Sequence, residues 1–196
     1  MAGHAPAGAA VPRPAVTRAI CDALLVELAA HGYAGTSIEA VARRAGVGKA
    51  AVYRRWPSKL ALVGDVIGEV LVIPEIIGTE LSLRDDVYVL LESFARLLAE
   101  PGIASITADL ASQALRVPEL DSRITVAVGE PTRRNGRKVL DEAIARGELR
   151  EEIDREIALD VMVSPLYWRA VVRRCSIAAV DLDRFATAIA AALVAL

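Results

Sequence analysis

The sequence predicts an all-α protein, with a small helix-turn-helix head followed by a larger helical body. Three observations predict it. Ala, Leu, Val, Arg and Glu dominate the composition, which favours helix. Aromatic residues make up only 4% of the 196, and β-branched runs are short, so no segment reads as a strand. Apolar residues recur at the three- and four-residue spacing of helices with one buried face.

Residues 1–13 read as a flexible leader. They are apolar but broken by Gly3, Pro6, Gly8 and Pro12, and no basic residue precedes them as in a secretion signal. A first helix starts near Pro14 and buries Val16, Ile20, Ala23, Leu24 and Leu28. His31-Gly32 ends it, Gly32 being suited to a left-handed cap, and Tyr33 folds back as an apolar anchor. Thr36-Ser37-Ile38-Glu39 reads as a capping box with Thr36 as N-cap. The short helix it opens turns Ile38, Val41, Ala42 and Ala45 inward. Gly46-Val47-Gly48 breaks it, and a second short helix runs from about Lys49 to Trp56, where Pro57 stops it. Ser58 then caps a longer helix to about Leu71.

These features give a head at 14–58, a connecting helix at 59–72 and a body at 73–196, with Pro74 and Gly78 at the boundary. Body helices are expected at about 84–99, 103–116 and 119–146, separated by Pro101-Gly102 and Val117-Pro118. Gly129 and Pro131 are placed to kink or split the third, and Gly147 caps it. Asp154 starts a helix that runs to about 173, bent at Pro165. The last helix spans about Leu182 to Ala195.

Charge is unevenly distributed. The whole chain carries a formal −2. Residues 13–60, however, hold eight basic residues against Asp22, Glu27 and Glu39, a local +5, and the remainder carries −7. A basic head on an acidic body suits a protein that meets a polyanion at one end. Cys21 and Cys175 lie far apart in apolar helical stretches and have no ligand spacing. They read as buried free thiols, with a disulfide or a redox switch as the alternative. No segment has the ~18 uncharged apolar residues of a membrane span, which points to a cytoplasmic protein. His4 and His31 have no catalytic partner and no phosphate loop follows a strand, so an enzyme is not expected and no metal or cofactor is called for. An adaptor that uses its helix-turn-helix for protein contact is a further alternative, which the charge asymmetry disfavours.

The pair of short helices carries the function. Ala42 permits close crossing, Gly46 makes the turn, Val47 and Val52 fill the gap beneath, and Trp56 closes the core. Gly48 precedes the second helix, which then presents Lys49, Ala50, Tyr53 and Arg54 to solvent, and a helix of that width fits the major groove. Tyr53 has an alternative place as a half-buried core residue, and the arginines one as an ordinary solvated face. Lys59 stands in the first turn of a helix, against the macrodipole, where a bound phosphate would offset it.

The run Gly46-Val47-Gly48-Lys49-Ala50-Ala51-Val52-Tyr53-Arg54-Arg55-Trp56-Pro57-Ser58-Lys59, with Gly32-Tyr33-Ala34-Gly35-Thr36-Ser37 and Val41-Ala42-Arg43-Arg44-Ala45, closely resembles the DNA-binding signature of TetR/AcrR-family regulators. Ala145-Arg146-Gly147-Glu148-Leu149-Arg150 and Pro165-Leu166-Tyr167-Trp168 are similar to one C-terminal subgroup of that family. The resemblance implies a dimeric, ligand-responsive repressor on a pseudo-palindromic operator. Lys49 and Ala50 would meet bases or nearby phosphates, and Tyr53, Thr36 and Lys59 would reach phosphates. Ala51 stands where many members have a hydroxyl residue.

The resemblance also implies a body that binds an effector and dimerises. Ile157, Val161, Trp168, Phe185, Ile189 and Leu193 are the candidate dimer residues, their alternative being a core within one chain; Trp168 has a further alternative place in the pocket. Leu62, Val66, Val70, Phe94, Leu98, Ile106, Leu110 and Tyr167 are candidates to line a pocket, and again packed core is the alternative. The expected partners are double-stranded DNA, a second copy of the chain and a small apolar or aromatic effector.

Overall fold

The computed structural model describes residues 13–73 and 82–196; residues 1–12 of the expected leader and the Pro74–Gly78 boundary lie outside the described residues, and Arg13, expected as the end of the leader, opens the first helix. Those residues form ten α-helices and no strand: α1 (Arg13–Gly35), α2 (Ile38–Arg44), α3 (Lys49–Tyr53), α4 (Lys59–Val70), α5 (Leu83–Ala99), α6 (Ile103–Ala114), α7 (Pro118–Ile124), α8 (Glu130–Ala145), α9 (Arg155–Tyr167) and α10 (Ala179–Ala195).

Local chemistry accounts for most boundaries. The hydroxyls of Ser58 and Ser82 accept N–H bonds at the starts of α4 and α5, and the Asp154 carboxylate accepts two at the start of α9. The cap of α2 is Ser37, not Thr36. Ser37 Oγ accepts the Ala40 N–H at 3.2 Å, while Thr36 is buried and donates its hydroxyl to the Gly32 carbonyl at 2.7 Å. Glu39 therefore does not close a capping box with Thr36; it pairs with Lys49 instead. Helix α3 ends at Tyr53, three residues earlier than the periodicity suggests, and Trp56 enters the core from the turn beyond it.

Between α7 and α8 the chain does not break. A π-helical turn, Thr125–Gly129, carries one into the other directly ahead of Pro131. A second π-helical turn, Trp168–Val172, follows α9, which contains Pro165. A proline has no N–H for the regular ladder, and a widened turn is one way the helix accommodates that.

The buried side chains fall into two clusters. One holds Leu90 and Leu91 of α5, Leu140 of α8, Met162 and Leu166 of α9, and Ile189 and Leu193 of α10. The other holds Ile20 and Leu24 of α1, Val41 of α2, Val52 of α3 and Leu62 and Ile67 of α4. It continues into Ile106 and Leu110 of α6 and Leu120 of α7. The core of the head thus takes in two helices from beyond residue 73.

Candidate nucleic-acid interface

The turn between α2 and α3 depends on Gly46, whose φ of 65° is unfavourable for a residue with a Cβ. The Gly46 and Val47 amides bond back to the carbonyls of Arg43 and Ala42 at 3.2 and 3.0 Å, which closes the turn. Val41, Ala42 and Val52 are buried in the seam between the two helices. Trp56 is buried, and its indole N–H donates to Asp65 Oδ2 at 2.9 Å, tying the end of α3 to α4.

With Val52 inward, α3 turns its other side to solvent. Gly48, Lys49, Ala50, Tyr53 and Arg54 are all exposed, and Tyr53 keeps 43% of its surface accessible. Tyr53 is therefore not a core residue. Gly48 has an ordinary φ of −71°, and a Cβ there would meet nothing within 4 Å, so the fold does not demand a glycine at that position. The Lys49 ammonium pairs with Glu39 and lies 5.5 Å from the centre of the Tyr53 ring. The hydrogen bond to Glu39 holds the Lys49 pKa above its ordinary value and that of Glu39 below. Arg43 and Arg54 are exposed and make no ion pair with any described residue.

Other basic residues of the head are structural. Arg44 Nε binds the buried carboxylate of Glu27 at 2.7 Å. Arg55 donates to Thr17 Oγ1 and to the Ala51 carbonyl, both at 3.0 Å. Lys59, expected to reach a phosphate, turns inward. Its ammonium donates to the carbonyls of Tyr33 and Thr36 at 2.7 and 3.1 Å and sits 4.3 Å from the Tyr33 ring. Burial pulls its pKa below the ordinary lysine value. The positive end of α4 is thereby matched by carbonyls of the α1–α2 junction. Thr36 is likewise turned inward, so of Tyr53, Thr36 and Lys59, the three residues expected to reach phosphates, only Tyr53 faces out.

Two family models match this chain. The model "Bacterial regulatory proteins, tetR family" covers residues 20–66, and "Tetracyclin repressor-like, C-terminal domain" covers residues 79–189. The chain belongs to the TetR family. It is a DNA-binding transcriptional regulator, and the family is one of regulators and not of enzymes. Among curated TetR-type relatives, the uncharacterized HTH-type transcriptional regulator YdeS of Bacillus subtilis is 25% identical over 79% of this chain and 78% of its own. The uncharacterized HTH-type regulator Rv1556 of Mycobacterium tuberculosis is 29% identical over 82% of this chain and 77% of its own. Two solved structures share the fold with a TM-score of 0.71 each. GusR of Salmonella enterica is 21% identical, covering 95% of this chain and 97% of its own. FadR from Bacillus subtilis, in complex with stearoyl-CoA, is 18% identical, covering 90% and 97%.

As expected of a TetR-family regulator, the body has a concavity, but not where the apolar spacing placed it. A cleft of about 970 Å³ lies between the C-terminal end of α5, the first half of α6, and the turn and loop after α9. Of the eight residues expected to line a pocket, only Leu98 does. Leu62, Val66, Ile106 and Leu110 are packed in the head cluster with Val70 against them, Phe94 packs on the body cluster, and Tyr167 lies on the outer surface. The cleft walls combine Ala95, Ala104, Ala108, Val171 and Ile177 with Glu100, Asp109, Arg174 and Cys175. Cys175 is thus partly exposed, not buried; Cys21 is likewise only partly buried, and both cysteines are free.

The dimer residues also need correction. Ile189 and Leu193 are buried within their own chain, and Phe185 packs against the same cluster. Ile157 and Trp168 are exposed on α9 and the turn after it, at 49% and 59%, with Val161 partly so. Among the described residues, no helix is long and apolar enough to cross a membrane.

Proposed function

We propose that the protein is a ligand-responsive repressor that binds a pseudo-palindromic duplex as a dimer. One observation carries this reading. The recognition helix α3 is held rigidly by Val52 and Trp56 while Lys49, Ala50, Tyr53 and Arg54 face solvent on one side. Lys49 and Ala50 are placed for base edges, the Tyr53 hydroxyl for a phosphate, and Arg54 and Arg43 for the backbone on either side. Gly48, with open space where a Cβ would stand, allows the DNA backbone to approach the start of α3 closely.

The dimer seam is the outer side of the body. Ile157, Val161 and Trp168 continue there alongside the exposed Ala188, Ala191, Val194 and Ala195 of α10. Small residues let helix backbones approach, and two helices from each copy form a four-helix interface about a two-fold axis. The effector occupies the cleft. Its mixed lining favours an amphipathic molecule, with an apolar body against the alanines, Leu98 and Val171 and a polar end among Glu100, Asp109 and Arg174.

A duplex selected by the protein from a randomised pool tests the reading. Tyr53→Phe should weaken binding to it about tenfold, the loss of one charge-assisted hydrogen bond. Its melting temperature should not change, because the hydroxyl makes no hydrogen bond with a described residue. Each phosphate neutralised should add about −0.9 to the slope of log K against log salt. Equal affinity for selected and random duplexes at every salt concentration would refute sequence-specific recognition.

A further inference from the structure

Asp109 belongs to both halves of the molecule. It lies on α6, in the wall of the cleft. Its Oδ2 accepts the backbone N–H of Tyr33 at 2.6 Å, 76 residues away in the chain. The carboxylate also lies flat against Gly32, where the backbone leaves the helix with φ 65° and ψ 178°. A Cβ at Gly32 would stand 2.7 Å from Oδ1 and 2.9 Å from Cγ, so glycine is needed there both for its dihedral and for the approach of this side chain.

The segment that Asp109 grips is a junction. The Gly32 carbonyl accepts the amide of Thr36 at 3.1 Å and its hydroxyl at 2.7 Å. The Tyr33 and Thr36 carbonyls accept from Lys59, the first residue of α4. Ser37, next in the chain, caps α2. One carboxylate in the cleft wall is therefore two hydrogen bonds from α4 and a few residues from the start of the helix-turn-helix.

We propose that Asp109 transmits occupancy of the cleft to the DNA-binding head, by holding or releasing the Tyr33 amide. The proposal rests on the reading of the cleft as the effector site. An ionised carboxylate is an acceptor only, and its second oxygen, Oδ1, makes no hydrogen bond with a described residue. A donor group on a bound molecule engages that oxygen and draws the side chain toward the cleft. The Tyr33 amide then loses its acceptor, and the 32–37 segment shifts with α2 and α4 attached. Asp109 is a positioning residue, since it acts through the Tyr33 amide.

The test uses the full chain, the duplex selected by the wild type, and a covalent stand-in for the effector. Asp109→Ala should weaken binding about tenfold, as expected for one lost hydrogen bond to a charged group. Asp109→Asn keeps a carbonyl acceptor and should bind close to wild type. In hydrogen exchange, the Tyr33 amide should lose protection in the alanine variant while the amides of α5 and α10 keep theirs. N-Ethylmaleimide attached to Cys175, in a Cys21→Ser background, occupies the cleft. It should lower duplex affinity when Asp109 is present and leave it unchanged with Asp109→Ala. Wild-type affinity in the alanine variant, equal losses in the alanine and asparagine variants, or an adduct with the same effect on both chains overturns the proposal. A wild-type protein that selects no duplex instead defeats the DNA-binding reading, before Asp109 is altered. An adduct with no effect on the Asp109-containing chain defeats the cleft as effector site, and the transmission proposal with it.

Discussion

The head and the body solve different problems with similar helices. In the head, the short helices α2 and α3 bury few side chains each, and polar ties link the elements around them: Glu27 to Arg44, Thr17 to Arg55, Asp65 to Trp56, and Lys59 to the α1–α2 junction. In the body, the long helices α5, α8, α9 and α10 share one apolar cluster, and a partly buried charge network ties the start of α5 to the end of α8. Asp86 of α5 is 1% exposed and pairs with Arg146 at 2.7 Å; Arg146 also binds Glu148, whose other oxygen accepts the Leu83 amide at the start of α5. The head spends its basic residues on orientation and leaves a few free for a polyanion. The body uses its charges to lock a core and leaves apolar side chains outside.

The sharpest way to break this contrast is inside the body cluster. Ile189→Asp puts an unpaired carboxylate where the side chain is 3% exposed, and should cost on the order of 5 kcal/mol. The body should unfold, and circular dichroism should report the loss of helix. A well-folded monomer in light scattering would show instead that Ile189 belongs to the dimer seam. Arg146→Ala comes next. It removes the guanidinium that pairs with the buried Asp86, and since Arg146 is itself partly exposed the cost should be about 2–4 kcal/mol, read as a lower denaturant midpoint. Preserved stability would mean that the rest of the Asp86 surroundings hold its charge without Arg146.

In the head, Lys59→Met should cost about 1–2 kcal/mol of stability, because two carbonyls lose a charged donor while the side-chain stem is kept. A change confined to DNA affinity, with melting unaltered, would return Lys59 to the role of a phosphate contact. The smallest effect is one of pH. Burial alone would raise the pKa of Glu148, but the Leu83 amide and the Arg146 guanidinium together hold it below the ordinary glutamate value. Its stabilising contribution is then fully present above the ordinary glutamate range and is lost as pH falls through the lowered value. The stability difference between wild type and Glu148→Gln should shrink across that acid range. A difference independent of pH would mean that Glu148 acts through packing alone.

Several of these residues were visible before the fold, though not always in their roles. The helix-turn-helix is legible in sequence because its determinants are local: a glycine turn, a Val41–Val52 seam and a proline stop lie within about twenty residues, though spacing left Tyr53 a second place in the core that only the structure removed. Arg146 and Glu148 stood out within a motif, but their partners, Asp86 and the Leu83 amide, are some sixty residues away. Asp109 gives one signal, a lone acid on an otherwise uncharged helix, and spacing cannot connect it to Tyr33.

By itself the sequence determined the all-helical class, the order of the elements, the caps at Ser58 and Asp154 and the basic head, because these depend on neighbours within a few turns of chain. Tertiary structure decided everything that requires choosing between two apolar faces. The last turns of α10, from Ala188 to Ala195, are apolar all round, so their periodicity is compatible with either Ile189 or Val194 facing the core, and only packing against α5 resolves the choice. The same holds for the pocket. Leu62, Val66, Ile106 and Leu110 have the pattern of a cavity wall, but they are buried in one cluster with side chains of α1 and α7. The cleft opens where the widened turn after α9 leads into Arg174, in the left-handed region at φ 54°, and the chain crosses beside α6. A cavity is the volume that packing leaves unfilled, and no single helix encodes it.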